Sequence, residues 1–147
     1  MNEPIEILLI EDNPADVRLT QEAFLEARIH NNLHVVHDGV SAMAFIHQTA
    51  PHQHAPRPDL ILLDLNLPKK DGREVLKEIK SDSDLRQIPV VILTTSEDEK
   101  DVLRSYDLHA NAYLVKPIDV VKFVKMIHSL ENFWLSIVKL PPKVSMA

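Results

Sequence analysis

Pro58-Asp59-Leu60-Ile61-Leu62-Leu63-Asp64-Leu65-Asn66-Leu67-Pro68 is the stretch from which the fold can be read. Leu60 to Leu63 are apolar without the alternation of a half-exposed strand, which predicts a central strand covered on both faces. Asp64 follows at once, at the carboxyl end of that strand, where open α/β sheets bind their ligands. Pro68 stops the local structure, and Asp71-Gly72 turns the chain into the next helix.

The same pattern repeats on either side. Ile5 to Ile10 predicts a first buried strand, and Glu11-Asp12 stands at its carboxyl end. Asn13 suits a helix cap, Pro14 the first helical position and Asp16 the positive end of the helix dipole; Val17, Thr20, Phe24 and Ala27 then share one face. Leu33 to His37 is a shorter candidate strand, closed by Asp38-Gly39, and Ala42, Phe45 and Ile46 give the following helix its apolar stripe. Residues from Thr49 to Arg57 carry two prolines and two histidines without periodicity, and predict an exposed loop.

Beyond Gly72, Val75, Leu76 and Ile79 mark a third helix, with Lys77 and Lys80 on its wet side. Val90 to Leu93 is a fourth buried strand ending at Thr94. Ser96 and Glu99 form a capping box for a fourth helix carrying Val102, Leu103 and Tyr106. Ala112 to Val115 is the fifth strand, followed by Lys116-Pro117. A last helix from Ile118 to Lys139 places Val120, Phe123, Ile127, Leu130, Trp134 and Ile137 at steps of three and four. Five strands alternating with five helices predict an α/β, doubly wound, flavodoxin-like parallel sheet of order 2-1-3-4-5.

Length and composition narrow the function. At 147 residues and 45% hydrophobic content there is room for one domain with a core of its own. A formal charge of −6, with no basic block to offset it, disfavours nucleic acid and anionic membrane surfaces as partners. The absence of cysteine removes disulfides and thiolate metal sites. Neither a leader pattern nor a membrane-length apolar run is present, so a soluble cytoplasmic protein is expected.

Strand order 2-1-3-4-5 makes strands 1 and 3 neighbours, so Glu11, Asp12 and Asp64 should converge at the carboxyl edge of the sheet. Three carboxylates so placed either take up protons or gather round a divalent cation, and all-oxygen ligands suit Mg²⁺ better than Zn²⁺. Thr94 brings a hydroxyl and Lys116 an ammonium to the same edge. That set fits phosphoryl transfer, with Asp64 as nucleophile, Mg²⁺ shielding the approach of an anionic donor, and Lys116 and Thr94 on the product oxygens.

With those motifs in hand, Glu11-Asp12, Asp64 to Pro68 with Asp71-Gly72, Pro89 to Thr94, and Tyr113 to Pro117, the chain resembles receiver domains of two-component response regulators over roughly residues 5–130. The resemblance implies Asp64 as phospho-acceptor. It also implies Mg²⁺ held by Asp12, Asp64 and the backbone carbonyl of Asn66, Glu11 acting through a water, a Thr94–Tyr113 switch pair and a cis Lys116-Pro117 peptide. The string from Asp64 to Leu76, the long loop before strand 3 and the tail from Phe133 to Pro142 look more particularly like the stand-alone regulators that serve cyanobacterial phytochromes. Its implied partner is a sensor histidine kinase, a phytochrome. On this reading residues 1–131 form the receiver and 132–147 extend helix 5 into a tail, with no output domain. Two departures stand out: His109 where many receivers have glycine before strand 5, and Thr95 where alanine often follows the switch threonine.

The last helix, about 33 Å long at about 1.5 Å per residue, exceeds what a short strand needs, so its apolar end predicts self-association as a homodimer or docking of a partner through helix 5. The His52-x-His54 pair lacks a third ligand and reads as solvated loop. Rival functions are an unphosphorylated scaffold of the same shape and an Mg²⁺-dependent phosphohydrolase. Asn66 stands where the resembling hydrolases carry their acid/base aspartate, which counts against the second. A nucleotide- or flavin-binding module lacks its glycine loop, since Gly39 and Gly72 are the chain's two glycines.

Overall fold

The structure, a computed structural model, describes residues 4–95, 112–116 and 119–138, with residues 130–138 as helical backbone. Its strands are β1 (Ile5–Ile10), β2 (Asn31–Val36), β3 (Leu60–Asp64), β4 (Val90–Thr94) and β5 (Ala112–Val115). Helices α1 (Pro14–Ala27), α2 (Gly39–His47), α3 (Gly72–Ser81) and α4 (Val120–Val138) are interleaved with them, α4 being the last of the five helices expected. The sheet is parallel throughout, in the order β2-β1-β3-β4-β5. The helix expected from Ser96, the turn at His109 and the Lys116-Pro117 peptide bond lie outside the described residues.

Alternation along each strand splits the core into two layers. Leu8, Ile10, Ile61, Leu63, Val90 and Ile92 face α2 and α3, while Ile7, Leu9, Leu60, Leu62, Val91 and Leu93 face α1 and α4. Every residue of β3 and β4 is buried, as the unbroken apolar runs require. Phe24 of α1 meets Phe123 of α4 edge to face, with ring centroids 5.9 Å apart, and closes the second layer.

Three boundaries differ from expectation. β2 begins at Asn31 and stops at Val36, rather than running from Leu33 to His37. It is an edge strand, and its start is recruited by pairing with β1 and by Glu6, which accepts from the Asn32 amide at 3.0 Å and meets His34 Nε2 at 2.8 Å. Asparagine has no apolar signature to announce that role. Helix α4 begins at Val120, two residues after the expected Ile118, and is described as far as Val138, the expected end at Lys139 lying outside the described residues. Lys80 is half-buried rather than wet, and its Nζ donates to the Arg86 carbonyl at 3.3 Å. The loop before β3 is largely exposed, although His52 packs on Phe45 with centroids 5.4 Å apart.

Local chemistry sets the helix ends. Asn13 Oδ1 caps α1 by accepting from the amides of Ala15 and Asp16, at 2.8 and 3.3 Å. Asp71 and Glu74 form a reciprocal capping box at the start of α3. Both helices therefore start at fixed points in the connections that follow β1 and β3.

Candidate functional site

Register along the sheet brings the ends of β1, β3, β4 and β5 to one edge, pairing Ile10 with Leu63, Asp64 with Leu93, and Thr94 with Val115. Asp64 is buried at the end of β3 and uses both carboxylate oxygens. Oδ1 accepts from the Asn66 amide at 2.9 Å, and Oδ2 accepts from Lys116 Nζ at 3.0 Å. Gly72 makes this possible: a Cβ there would lie 2.6 Å from Leu65 Cα, closer still to the Asp64 carbonyl oxygen. The start of α3 can thus lie directly against the end of β3.

Carboxylate oxygens of Glu11, Asp12 and Asp64 lie within 4.8 Å of one another, the convergence expected from the strand order. Asp12 is exposed, whereas Glu11 is fully buried. Glu11 Oε2 accepts from the Asn13 amide at 3.2 Å. Its Oε1 lies 2.9 Å from Lys116 Nζ but without hydrogen-bond alignment, and is a buried oxygen with no hydrogen-bond partner. Burial, followed by the neighbouring Asp64 carboxylate, pushes the Glu11 carboxyl up to about 7, against the pull of Lys116. Three carboxylates within 4.8 Å of one another, offering oxygen donors alone, fit a hard divalent cation such as Mg²⁺.

Lys116 reaches across this cluster. Its ammonium is 2.9 Å from Glu11 Oε1, 2.9 Å from Asp16 Oδ2 and 3.0 Å from Asp64 Oδ2, and its side chain is 13% exposed. Burial lowers its proton affinity, but the three carboxylates outweigh that and hold it above the ordinary lysine range. The backbone fixes it as well, since the Lys116 amide donates to the Thr94 carbonyl at 2.6 Å.

Thr94 is fully buried at the end of β4. Tyr113 pairs in register with Ile92, two residues before Thr94, so the two proposed switch residues point to the same face of the sheet. Tyr113 is partly buried and packs against the layer that faces α2 and α3. Asn66 Nδ2 lies 3.5 Å from Thr95 Oγ1, linking the loop after β3 to the end of β4.

Asp16 was not anticipated here. The sequence gives an acid in a first helical turn a sufficient local reason, and only the approach of the β5 end to α1 shows the second one. Its spacing from Glu11-Asp12 across a capped helix start was the one available signal. His37 is a further addition, its Nδ1 lying 3.1 Å from the Glu11 carbonyl oxygen. His52 and His54 join no metal-ligand cluster; among the described residues Glu11, Asp12 and Asp64 alone form one.

Comparison with known proteins agrees with this geometry. The family model of the response regulator receiver domain matches residues 7–128. Response regulator Rcp1 of Synechocystis sp. is 54% identical over 140 residues, covering 95% of this chain and 95% of that protein. The crystal structure of the Mn²⁺-bound form of Rcp1 superposes with a TM-score of 0.77, over 94% of this chain and 99% of that one. The phosphorylated cyanobacterial phytochrome response regulator RcpA is 50% identical and superposes with a TM-score of 0.78, over 95% of this chain and 99% of that one.

Proposed function

The chain belongs to the response regulator receiver family, and from that premise we propose that Asp64 accepts a phosphoryl group from the phosphohistidine of a sensor kinase, a phytochrome. The observation that carries the reading is Asp64 itself, a buried carboxylate at a strand end, held between the Asn66 amide and Lys116 beside two further acids. The histidine P–N bond breaks as the P–O bond to Asp64 forms, and the imidazole leaves with one proton. Lys116 then balances the added charge, and Thr94, at the neighbouring strand end, donates its hydroxyl to a phosphoryl oxygen. The chain is thus a phospho-acceptor that contributes to the rates of its own phosphorylation and hydrolysis.

Asp12, Asp64 and the Asn66 backbone carbonyl are the residues to hold Mg²⁺, with Glu11 acting through a water. When bound, the ion supplies the positive charge that lets an anionic donor approach three acids. The Mn²⁺-bound form of Rcp1 and the phosphorylated form of RcpA support a divalent cation and a phosphoryl group as this chain's ligands. Phosphorylation is read out through Thr94 and Tyr113, which share a sheet face, toward the surface of β5 and the C-terminal helix. We place the protein in the cytoplasm with its kinase, its receiver spanning residues 1–131, and assign dimerisation to the extension of α4 and the tail from residue 132. No helix among the described residues is long and apolar enough to cross a membrane.

Intact-mass spectrometry after incubation with acetyl phosphate tests the chemistry. A single added phosphoryl group is expected, dependent on Mg²⁺ and absent in Asp64→Asn. No addition to a folded wild-type chain would favour an unphosphorylated scaffold.

A further inference from the structure

Three carboxylates surround the Lys116 ammonium, and they do not have equivalent fates during phosphoryl transfer. Asp64 gives up its charge to an acyl phosphate, and Glu11 belongs to the acid cluster whose charge changes with proton or cation. Asp16 lies outside that cluster, on α1, with its Oδ2 2.9 Å from Lys116 Nζ and its side chain 14% exposed. Its backbone is pinned from both sides: its amide donates to Asn13 Oδ1 at 3.3 Å and its carbonyl accepts from Thr20 Oγ1 at 2.8 Å. The ion pair joins the first turn of α1 to the residue after β5, and its shielding from water protects it from the screening that weakens surface pairs.

We propose that Asp16 is a positioning residue for phosphoryl transfer, a fixed anionic post that keeps the Lys116 ammonium over Asp64 while the charge on Asp64 changes. A lysine side chain has several rotatable bonds, and without a fixed partner its ammonium follows whichever acid is charged at the moment. With Asp16 in place it needs only to shift from Asp64 Oδ2 to a nearby phosphoryl oxygen. The inference rests on Asp64 as the acceptor.

The test is a double-mutant cycle on the full chain, following uptake of the phosphoryl group from acetyl phosphate by intact mass at saturating Mg²⁺. Asp16→Ala is expected to slow uptake by roughly tenfold, as loss of alignment of one reacting partner does. In a Lys116→Ala background the same substitution should change the rate by less than about twofold, because the post then has nothing to hold. Asp16→Glu, which keeps the charge, should recover most of the wild-type rate, and isosteric Asp16→Asn carries the comparison if the alanine variant does not fold. An unchanged rate in Asp16→Ala overturns the proposal, and so do equal fold losses in both backgrounds, which would mark a general structural role. Failure of the wild type itself to take up phosphoryl would instead defeat the assignment of Asp64.

Discussion

Glu11 shows how a single buried residue carries the cost of the site. Its carboxyl holds its proton up to about 7, against 4.5 for an ordinary glutamate, chiefly because burial penalises the anion. The unfolded chain ionises this group first, so its contribution to stability is full below 4.5 and is lost as the pH rises through about 7. Glu11→Gln removes the titration. In a metal chelator, the urea midpoint of the variant should therefore gain on wild type between about pH 5 and about pH 8, and a constant difference would refute the assignment. Asp64, Thr94 and Lys116 were legible from sequence because each directly follows or ends an apolar strand run, and Asp12 because it stands in the acidic pair just after one; strand order alone gathers such ends. Asp16 was not, because a favourable helix-dipole position already accounts for it and a contact across 100 residues leaves no local trace.

At the scale of elements, the chain's two glycines lie at close approaches, and left-handed backbone falls to other residues. Gly39 and Gly72 both have negative φ, and each lets a helix start press on the β3–α3 connection, Gly39 against Lys70 and Gly72 against Leu65. Gly72→Ala would force backbone apart immediately beside Asp64. A loss of about 3 kcal/mol, the upper end for overpacked core positions, is expected by urea denaturation. The reverse holds at Arg28, the C-cap of α1, which adopts φ 58° where glycine would be unstrained. Relief of left-handed strain, about 1–2 kcal/mol, outweighs the added freedom of the unfolded chain, about 0.5–1 kcal/mol, so Arg28→Gly should raise stability by roughly 0.5 kcal/mol. A thermal midpoint that falls would show that the Arg28 side chain matters more than its backbone. The helices were legible from their stripes and caps. The start of β2 was not, because Asn31 and Asn32 are strand residues only by virtue of the Glu6 side and backbone of β1 that they pair with.

At the scale of the whole molecule, α4 is longer than the sheet it covers. Phe123 and Ile127 are buried in the layer shared with α1, and the helix then continues to Val138, about 16 Å further at about 1.5 Å per residue. The sequence of that continuation includes Leu130, Phe133, Trp134, Leu135 and Ile137, the basis for the proposed dimer. A second copy of the chain would cover it symmetrically, each helix end burying the other, and a receiver that signals through a partner surface gains a way to do so. Since Phe123 and Ile127 stay in place, a chain ending after Leu130 should keep its fold, with circular dichroism and urea midpoint close to those of the full chain. On the proposed dimer, the full chain is expected to sediment as a dimer and the shortened one as a monomer. Equal sedimentation of the two would remove the helix extension from the interface, and a shortened chain that unfolds would mean that the extension completes the core rather than joining two of them.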